Sequence, residues 1–394
     1  MKLKSLLICG TLALTISNSF AVERVFDITG ATAFRASANT ALIALLGGSG
    51  TTTYAYIGSS GASGTNRALY KGTMAAFPGD TIVVRCNWSG STQGILDVAD
   101  DVAIQFLDKD ANATSTAGTL LASPVYTTAV AQWSFSDVDK SLSTRPNHAF
   151  AGGAVGIVPF MFLAGEGAPA EFTNMSDQLH AALWSTGQLP IALFTGNTAD
   201  LTTVLATGRN NGSGTRALIL SETAYGSFTN VVQFNATFAG TRTDAYPTGK
   251  LLAVSEFGND GHSSNSGVRD VLTRRSDDLT FNGDAIDALF VSYLTISDAN
   301  SAVTEGAKAL TYNGVAFSVE NVKKGLYTLW GYQQFYKDND TTAEQDTFDT
   351  AFRTALPSSL VEPNAIAITN MSVVRSGQDG GPIAPGNNYP AANP

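Results

Sequence analysis

Charge is scarce in this sequence. Only 14% of its residues are Asp, Glu, Lys or Arg, and 23 basic residues face 33 acidic ones, for a formal net charge of −10. Without a basic surplus the chain cannot neutralise a run of phosphates, which sets DNA and RNA aside as partners. Low charge beside 44% apolar residues and 38 glycines also excludes a coiled coil or a disordered acidic chain, and describes a packed protein with many tight turns. Cysteine is nearly missing. Of the two, Cys9 lies in an N-terminal apolar run and Cys86 in the run Thr81 to Cys86, so the mature chain has no intramolecular disulfide and Cys86 reads as a small buried hydrophobe. The three histidines, His148, His180 and His262, stand apart from any H-x-H, H-E-x-x-H or Cys-x-x-Cys spacing, which leaves a metal hydrolase without ligands. Neither G-x-x-x-x-G-K-[ST] nor G-x-G-x-x-G follows a strand. Gly261-His-Ser-Ser-Asn265 lacks the last glycine of a G-x-S-x-G elbow, and the acid pairs Asp100-Asp101 and Asp277-Asp278 are sequence neighbours that read as solvated charge. No catalytic residue, cofactor motif or metal site emerges from these spacings, and an enzyme is not expected.

Lys2 and Lys4 precede the apolar run Leu6 to Leu14, and a polar stretch ends at Ser19-Phe20-Ala21. This pattern is that of a cleaved secretory signal over residues 1–21, too short to anchor in a bilayer. Ile8 before Cys9 speaks against a lipidation site, where a small residue is wanted. Cleavage takes the formal charge from −10 to −12, because two lysines and no acids leave with the signal. A secreted or periplasmic protein long enough for two domains is expected.

Strand-like runs alternate with helical spacing. Thr81 to Arg85 precedes Ile95, Val98, Ala99 and Val102, which share one helix face; Ala154 to Phe162 reads as a buried strand and Ser176 to Trp184 as a short helix. Ile191 to Phe194, Val231 to Phe234, Leu251 to Val254 and Ala288 to Tyr293 are further strand candidates. A helix over Asn39 to Leu46 should stop at Gly47-Gly48. The alternation predicts α/β layers with mixed sheets flanked by helices. Ala111 to Thr119 reads as a surface loop, and Gly377 to Pro394, rich in Gly, Pro and Asn, as a disordered tail.

Three segments rich in Gly, Ser and Thr sit where a helix is about to begin: Thr29-Gly-Ala-Thr-Ala-Phe-Arg35, Trp88-Ser-Gly-Ser-Thr-Gln-Gly94 and Arg209-Asn-Asn-Gly-Ser-Gly-Thr-Arg216. Helix N-termini leave N–H groups unpaired and carry partial positive charge, and small residues let an anion reach them. Arg209 adds a planar fork that can grip two oxygens. Any one of these segments is ordinary capping on its own. At this point capping and anion binding both stand.

The third segment resembles the R-x-x-x-S-G-T element of phosphate-binding proteins of the periplasmic, ABC-transporter type, a branch of the type 2 solute-binding proteins. Ile28-Thr-Gly-Ala-Thr-Ala-Phe34 is similar to the family's I-x-G-A-G-A-T-F opening, Ser89-Gly-Ser-Thr-Gln-Gly-Ile95 to its S-S-G-G turn, and Ser134-Phe-Ser-Asp137 to its A-S-D element. Leu294-Thr-Ile-Ser-Asp-Ala299 and Leu310-Thr-Tyr-Asn-Gly-Val-Ala316 resemble parts of its later domain. The resemblance implies a two-lobed fold with a hinge and an interlobe cleft: 22–153 as the first part of lobe I, 154–328 as lobe II, 329–376 returning to lobe I, then the tail 377–394. It implies a ligand shell of Thr32, Ala33, Phe34, Ser89, Arg209, Ser213, Gly214 and Thr215, with Asp137 as acceptor and Ser91 as a possible addition. Inorganic phosphate or a similar oxyanion would be bound by a monomer and passed to an ABC permease. The Asp137 carboxylate would accept the proton that hydrogen phosphate has and sulfate lacks.

The chain also departs from the family's pattern. Thr-Phe-Pro is replaced by Ala33-Phe34-Arg35, so a hydroxyl is lost and a guanidinium gained. Arg35 either joins the shell, which would admit a different or larger anion such as a phosphonate or phosphate ester, or pairs with Asp137 or a surface acid. Ser63-Gly64-Thr65 with Arg67 repeats the composition of the main element, but with no clear helix after it reads as a surface turn. The alternative function is a secreted surface or sensing protein that keeps the fold without transport; an exported phosphatase is a third.

Overall fold

The structure is a computed structural model that describes residues 21–58, 61–112, 116–375 and 379–388. Residues 1–20 of the expected 1–21 signal, and residues 377, 378 and 389–394 of the expected tail, lie outside these ranges. Alternating strand and helix propensities assemble into one mixed twelve-stranded sheet with helices packed on it and smaller sheets beside it. Across the sheet the strands run Gln188–Pro190, Thr203–Ala206, Ala288–Thr295, Phe150–Ala164, Trp330–Asp338, Trp133–Ser136, Glu23–Gly30, Thr81–Asn87, Arg67–Gly72, Thr53–Tyr56 and Thr119–Leu120, with Lys308–Ala309 branching from Phe150–Ala164. Glu23–Gly30 is parallel to both neighbours, whereas Phe150–Ala164 is antiparallel to its partners.

Phe150–Ala164 joins the two halves of this sheet. Its 15 residues are long enough to pair first with Trp330–Asp338, as far as Pro159 opposite Trp330, and then with Ala288–Thr295, from Phe160 opposite Thr295. The expected boundaries at 153/154 and 328/329 fall in or beside these two strands. Stacked aromatics fill the layer beneath: Phe26 lies 4.3 Å from Phe348 and Phe135 4.4 Å from Phe335, centroid to centroid. Cys86 is fully buried, and burial pushes its thiol well above the ordinary range. His180 is sealed against Trp184, centroids 4.5 Å apart, and burial pushes it down to about 3.

The helices that matter below are α1 (Arg35–Leu45), α2 (Ser91–Ala99), α3 (Asp177–Thr186), α4 (Ala192–Thr195), α5 (Gly214–Glu222), α6 (Asn265–Leu272) and α7 (Ile296–Thr304). Two local expectations are corrected. Ile191 to Phe194 is not a strand: Pro190 ends the strand before it, and the apolar run turns once as α4 before left-handed Gly196 closes it. Four apolar residues cannot by themselves distinguish the two states. Val102 is not on the α2 face, because the helix stops at Ala99 and Asp101 takes a φ of 50°.

The expected disordered tail is corrected over its described part. Val373–Arg375 pairs antiparallel with Ile383–Pro385, and between them Asp379 and Gly380 dock on the body of the protein. Asp379 Oδ2 accepts the Asp139 N–H at 2.6 Å, the Asp379 carbonyl accepts Ser221 Oγ at 2.7 Å, and the Gly380 N–H donates to Glu222 Oε1 at 2.7 Å. Arg375 completes the anchor, 2.5 Å from Glu222 Oε2 and stacked over the Trp330 ring at 4.3 Å. Gly, Pro and Asn here serve tight turns between anchored residues, a use that composition alone does not separate from disorder.

Asp379 is 6% exposed, and burial pushes its carboxyl up to about 7. The folded state therefore holds a proton that the unfolded chain releases near the ordinary carboxylate value. The stability contributed by the neutral acid is complete below that value and is lost as pH rises towards about 7. Thermal unfolding from about pH 4.5 to about pH 7.5 should show Asp379→Asn gaining on the wild type by about 2–4 °C. Curves that stay parallel across the interval would show that Asp379 is ionised throughout.

Candidate functional site

The strand Glu23–Gly30 ends in the turn Ala31 to Phe34, and α1 begins at Arg35. Phe34 occupies the cap position with no side-chain cap; its ring points into the core, 5.3 Å from Phe135. With the ring anchored, the backbone N–H groups of Thr32, Ala33 and Phe34 have no partner among the described residues.

The second turn works in the same way. Gly90 caps α2 with a φ of 111° and offers no side-chain acceptor, so the N–H groups of Ser91 and Thr92 are unpartnered among the described residues. Ser89 is drawn inwards: its hydroxyl lies 2.9 Å from Thr29 Oγ1 and 3.0 Å from Asp97 Oδ2. The buried Asp97 carboxylate thus takes the hydroxyl expected to meet a ligand, and Ser91 stands closer to the centre of the site. Ser91 is 2% exposed and its Oγ accepts the Asp137 N–H at 3.2 Å.

The third turn opens α5. Ser213 is the N-cap, its Oγ accepting the Arg216 N–H at 3.4 Å, while the N–H groups of Gly214 and Thr215 have no partner among the described residues. Gly214 has to be glycine: a Cβ there would lie 2.2 Å from Ser91 Oγ. The beginning of α5 is therefore packed against the Ser91 side chain that opens α2, and Thr92 Oγ1 ties the two by donating to the Gly212 carbonyl at 2.8 Å.

Asp137 sits at this junction, just beyond the strand Trp133–Ser136. It is 3% exposed, and its Oδ1 has no hydrogen-bond partner among the described residues. Burial pushes its carboxyl up to about 6, against the pull of the Ser91 hydroxyl, the Arg209 charge and the Thr215 hydroxyl.

Arg209, 4% exposed, approaches from the other half of the sheet. Its Nε donates to the His262 carbonyl at 3.2 Å, Nη1 to Asn265 Oδ1 at 2.6 Å and Nη2 to the Ser263 carbonyl at 3.0 Å. All three acceptors are neutral, and two of its five N–H groups have no partner among the described residues. Burial opposes its charge; Tyr293, Asp137 and Asp298 favour it. The polar run Gly258 to Gly267 is thus the cradle of Arg209. Gly261 lets it come close, since a Cβ would lie 2.5 Å from the Arg209 carbonyl, and Ser264 caps α6, so this segment is no hydrolase elbow. Burial and the neighbouring Arg209 push His262 down to about 4.

Among the described residues Arg35 pairs with neither Asp137 nor a surface acid. Its Nε donates to the Thr32 carbonyl at 2.9 Å, and Nη1 to the Thr65 carbonyl at 3.1 Å and Asn66 Oδ1 at 2.7 Å. The turn at Ser63-Gly64-Thr65 is accordingly more than a surface turn. Thr65 is 3% exposed, with its hydroxyl 2.6 Å from the Ile57 carbonyl, and its own carbonyl holds Arg35.

Sequence reasoning assigned no role to Asn265, Asn259 or Asp298. Asn265 holds Arg209 and donates to Asp298 Oδ2 at 2.8 Å; Asn259 takes Arg216 on its carbonyl at 2.7 Å and its Oδ1 at 2.5 Å. The available signal was Thr295 three residues before Asp298 at the start of α7, which reads as capping chemistry. Among the described residues no cluster of His, Cys, Asp and Glu could hold a metal ion, and no helix is long and apolar enough to cross a membrane.

No family model matches the chain, and no curated protein sequence matches it. Solved structures do. An ABC-type phosphate transport receptor from Vibrio cholerae is similar at 13% identity and a TM-score of 0.45, covering 84% of this chain and 93% of the receptor. The proposed substrate-binding protein of a phosphate ABC transporter from Clostridium perfringens, with phosphate bound, is similar at 11% identity and a TM-score of 0.49, covering 88% and 100%. A human phosphate-binding apolipoprotein is similar at 13% identity and a TM-score of 0.44, covering 87% and 90%. At these identities and TM-scores neither ligand nor role follows from the likeness.

Proposed function

We propose that this protein is an exported binding protein that closes two lobes on phosphate or a related tetrahedral oxyanion and delivers it to an ABC-type permease. Lobe I comprises 22–153 and 329–376, lobe II 154–328, and the shell is Thr32, Ala33, Phe34, Ser91, Asp137, Arg209, Ser213, Gly214 and Thr215, with Ser89 behind it. One observation carries the reading: a buried carboxylate oxygen without a partner, on Asp137, lies where helix N-termini present unpaired N–H groups. Unpaired donors of this density suit an oxyanion, whose charge is otherwise heavily solvated, and exclusion of water strengthens each bond. A lone carboxylate among them suits an oxyanion that brings its own proton. Hydrogen phosphate can donate to Asp137 Oδ1; sulfate can only set lone pairs against it.

Calorimetric titration of the mature chain with phosphate and sulfate tests the reading. Phosphate should bind at micromolar or tighter affinity, and Arg209→Ala should weaken it roughly a hundredfold or more. No heat with either anion would overturn the proposal. Asp137→Asn should narrow the preference for phosphate over sulfate, because the amide can donate to either. The pH dependence has a definite sign: below about 6 the protonated Asp137 can donate to sulfate, and above it the carboxylate rejects sulfate. Selectivity for phosphate should therefore rise with pH through about 6 in the wild type and stay flat in Asp137→Asn.

A further inference from the structure

Arg209 opens the third turn, and backbone bonds tie it there: Arg216 Nη1 donates to its carbonyl at 3.4 Å, and the Ser213 N–H to the Asn210 carbonyl at 3.2 Å. The same turn meets the acid, since a Cβ on Gly214 would lie 3.5 Å from Asp137 Cβ. Two of the three acceptors of the Arg209 guanidinium are carbonyls, of His262 and Ser263. The third, Asn265 Oδ1 at 2.6 Å from Nη1, belongs to the only side chain that holds the guanidinium among the described residues. A primary amide can turn over, and turned over it would set N–H groups against a cation. The far side of Asn265 prevents this: its Nδ2 donates to Asp298 Oδ2 at 2.8 Å and to Thr295 Oγ1 at 3.3 Å. Reversal would place Oδ1 on the carboxylate as well as Nδ2 on the guanidinium, so both ends select one orientation. Asn265 is 8% exposed, which shelters both bonds from water. Asn265 is the first residue of α6 and Asp298 the third of α7, so the chain of bonds links two helix starts. Capping alone does not account for it. Thr295 stands at the cap position of α7 without a side-chain cap bond, and its hydroxyl donates to Asp298 Oδ2 at 3.0 Å instead. Among the described residues no Lys, Arg or His forms an ion pair with Asp298.

We infer that Asp298 is a positioning residue for the anion site: through the Asn265 amide it fixes the direction of the Arg209 fork, and the amide between them keeps its charge from pairing with the guanidinium. The inference rests on the oxyanion reading above, in which Arg209 grips the ligand. An amide whose Nδ2 is drawn to a carboxylate is a better acceptor on Oδ1, so Arg209 is held firmly by a group without net charge. A carboxylate touching Arg209 would hold it as firmly and take up the charge that an oxyanion needs. Fixed at Nε, Nη1 and Nη2, the guanidinium keeps its two unpartnered N–H groups in one direction, and binding need not first order the side chain.

The test is calorimetric titration of the mature chain with inorganic phosphate, on the wild type and two variants. Asp298→Ala removes a negative charge, which by charge alone should tighten the binding of an anion. Positioning predicts the reverse: with the amide released, phosphate should bind roughly tenfold more weakly. The exchange of Asn265→Asp together with Asp298→Asn keeps the net charge, both side-chain shapes and both hydrogen bonds, but sets the carboxylate directly on Arg209. It should leave the melting temperature near that of the wild type and weaken phosphate roughly tenfold or more. Phosphate binding by Asp298→Ala that is unchanged or tighter overturns the inference. An Asp298 that only steadies the start of α7 would leave the exchanged pair at wild-type affinity, and that result overturns it as well, including where Asp298→Ala does not fold. Absence of wild-type binding removes the oxyanion reading itself, whereas wild-type binding that both variants leave unchanged removes this inference alone.

Discussion

The structure turns on the close meeting of two helix beginnings. α2 and α5 bring partial positive charge to the same spot, and with Gly214 set against Ser91 there is no room for water between their first residues. Such a meeting repels itself unless negative charge is built in beside it. Asp137 provides that charge, delivered by the strand Trp133–Ser136 from the middle of the sheet, and its backbone N–H bonds the Ser91 hydroxyl that it needs for position. The junction is in this sense half neutralised from within, and the Asp137 Oδ1 has no partner among the described residues.

The arginines follow a complementary rule. Arg209, Arg216 and Arg35 are all held by carbonyl and amide oxygens instead of carboxylates. Neutral acceptors fix the geometry of a guanidinium without cancelling its charge, which stays available to whatever enters the space they face. Asn259 and Asn265, both in the run Gly258 to Gly267, take this role for Arg216 and Arg209. A carboxylate in either place would position the arginine equally well and silence it.

Much of this was legible in the sequence, and the reason differs from element to element. Long apolar strands such as Ala154 to Phe162 and the helix starts at Arg35, Ser91 and Gly214 could be read because periodicity and turn chemistry are local properties. Ile191 to Phe194 could not, since four apolar residues satisfy either period. The orientation of Ser89 was hidden because it depends on Asp97, one helical face away, and on Thr29 from another strand. Asn265 and Asp298 escaped for the same reason: their partners are separated by 56 and 33 residues, and nothing local distinguishes a scaffold amide from a loop amide. Thr65 resembled a surface turn in composition, and only the packing of Arg35 across it reveals its work.

The segment around Asp379 gives the chain a particular order of completion. It joins the Asp139 N–H just downstream of Asp137, and the end of α5 whose beginning forms the third turn, across 240 and 158 residues respectively. This segment follows every strand of the twelve-stranded sheet in the chain. A nascent chain can lay down every strand of the sheet and still lack the brace that holds the far end of α5 against the strand carrying Asp137. A chain without this segment keeps the twelve-stranded sheet but loses the bonds that fix the end of α5 against the Asp139 backbone.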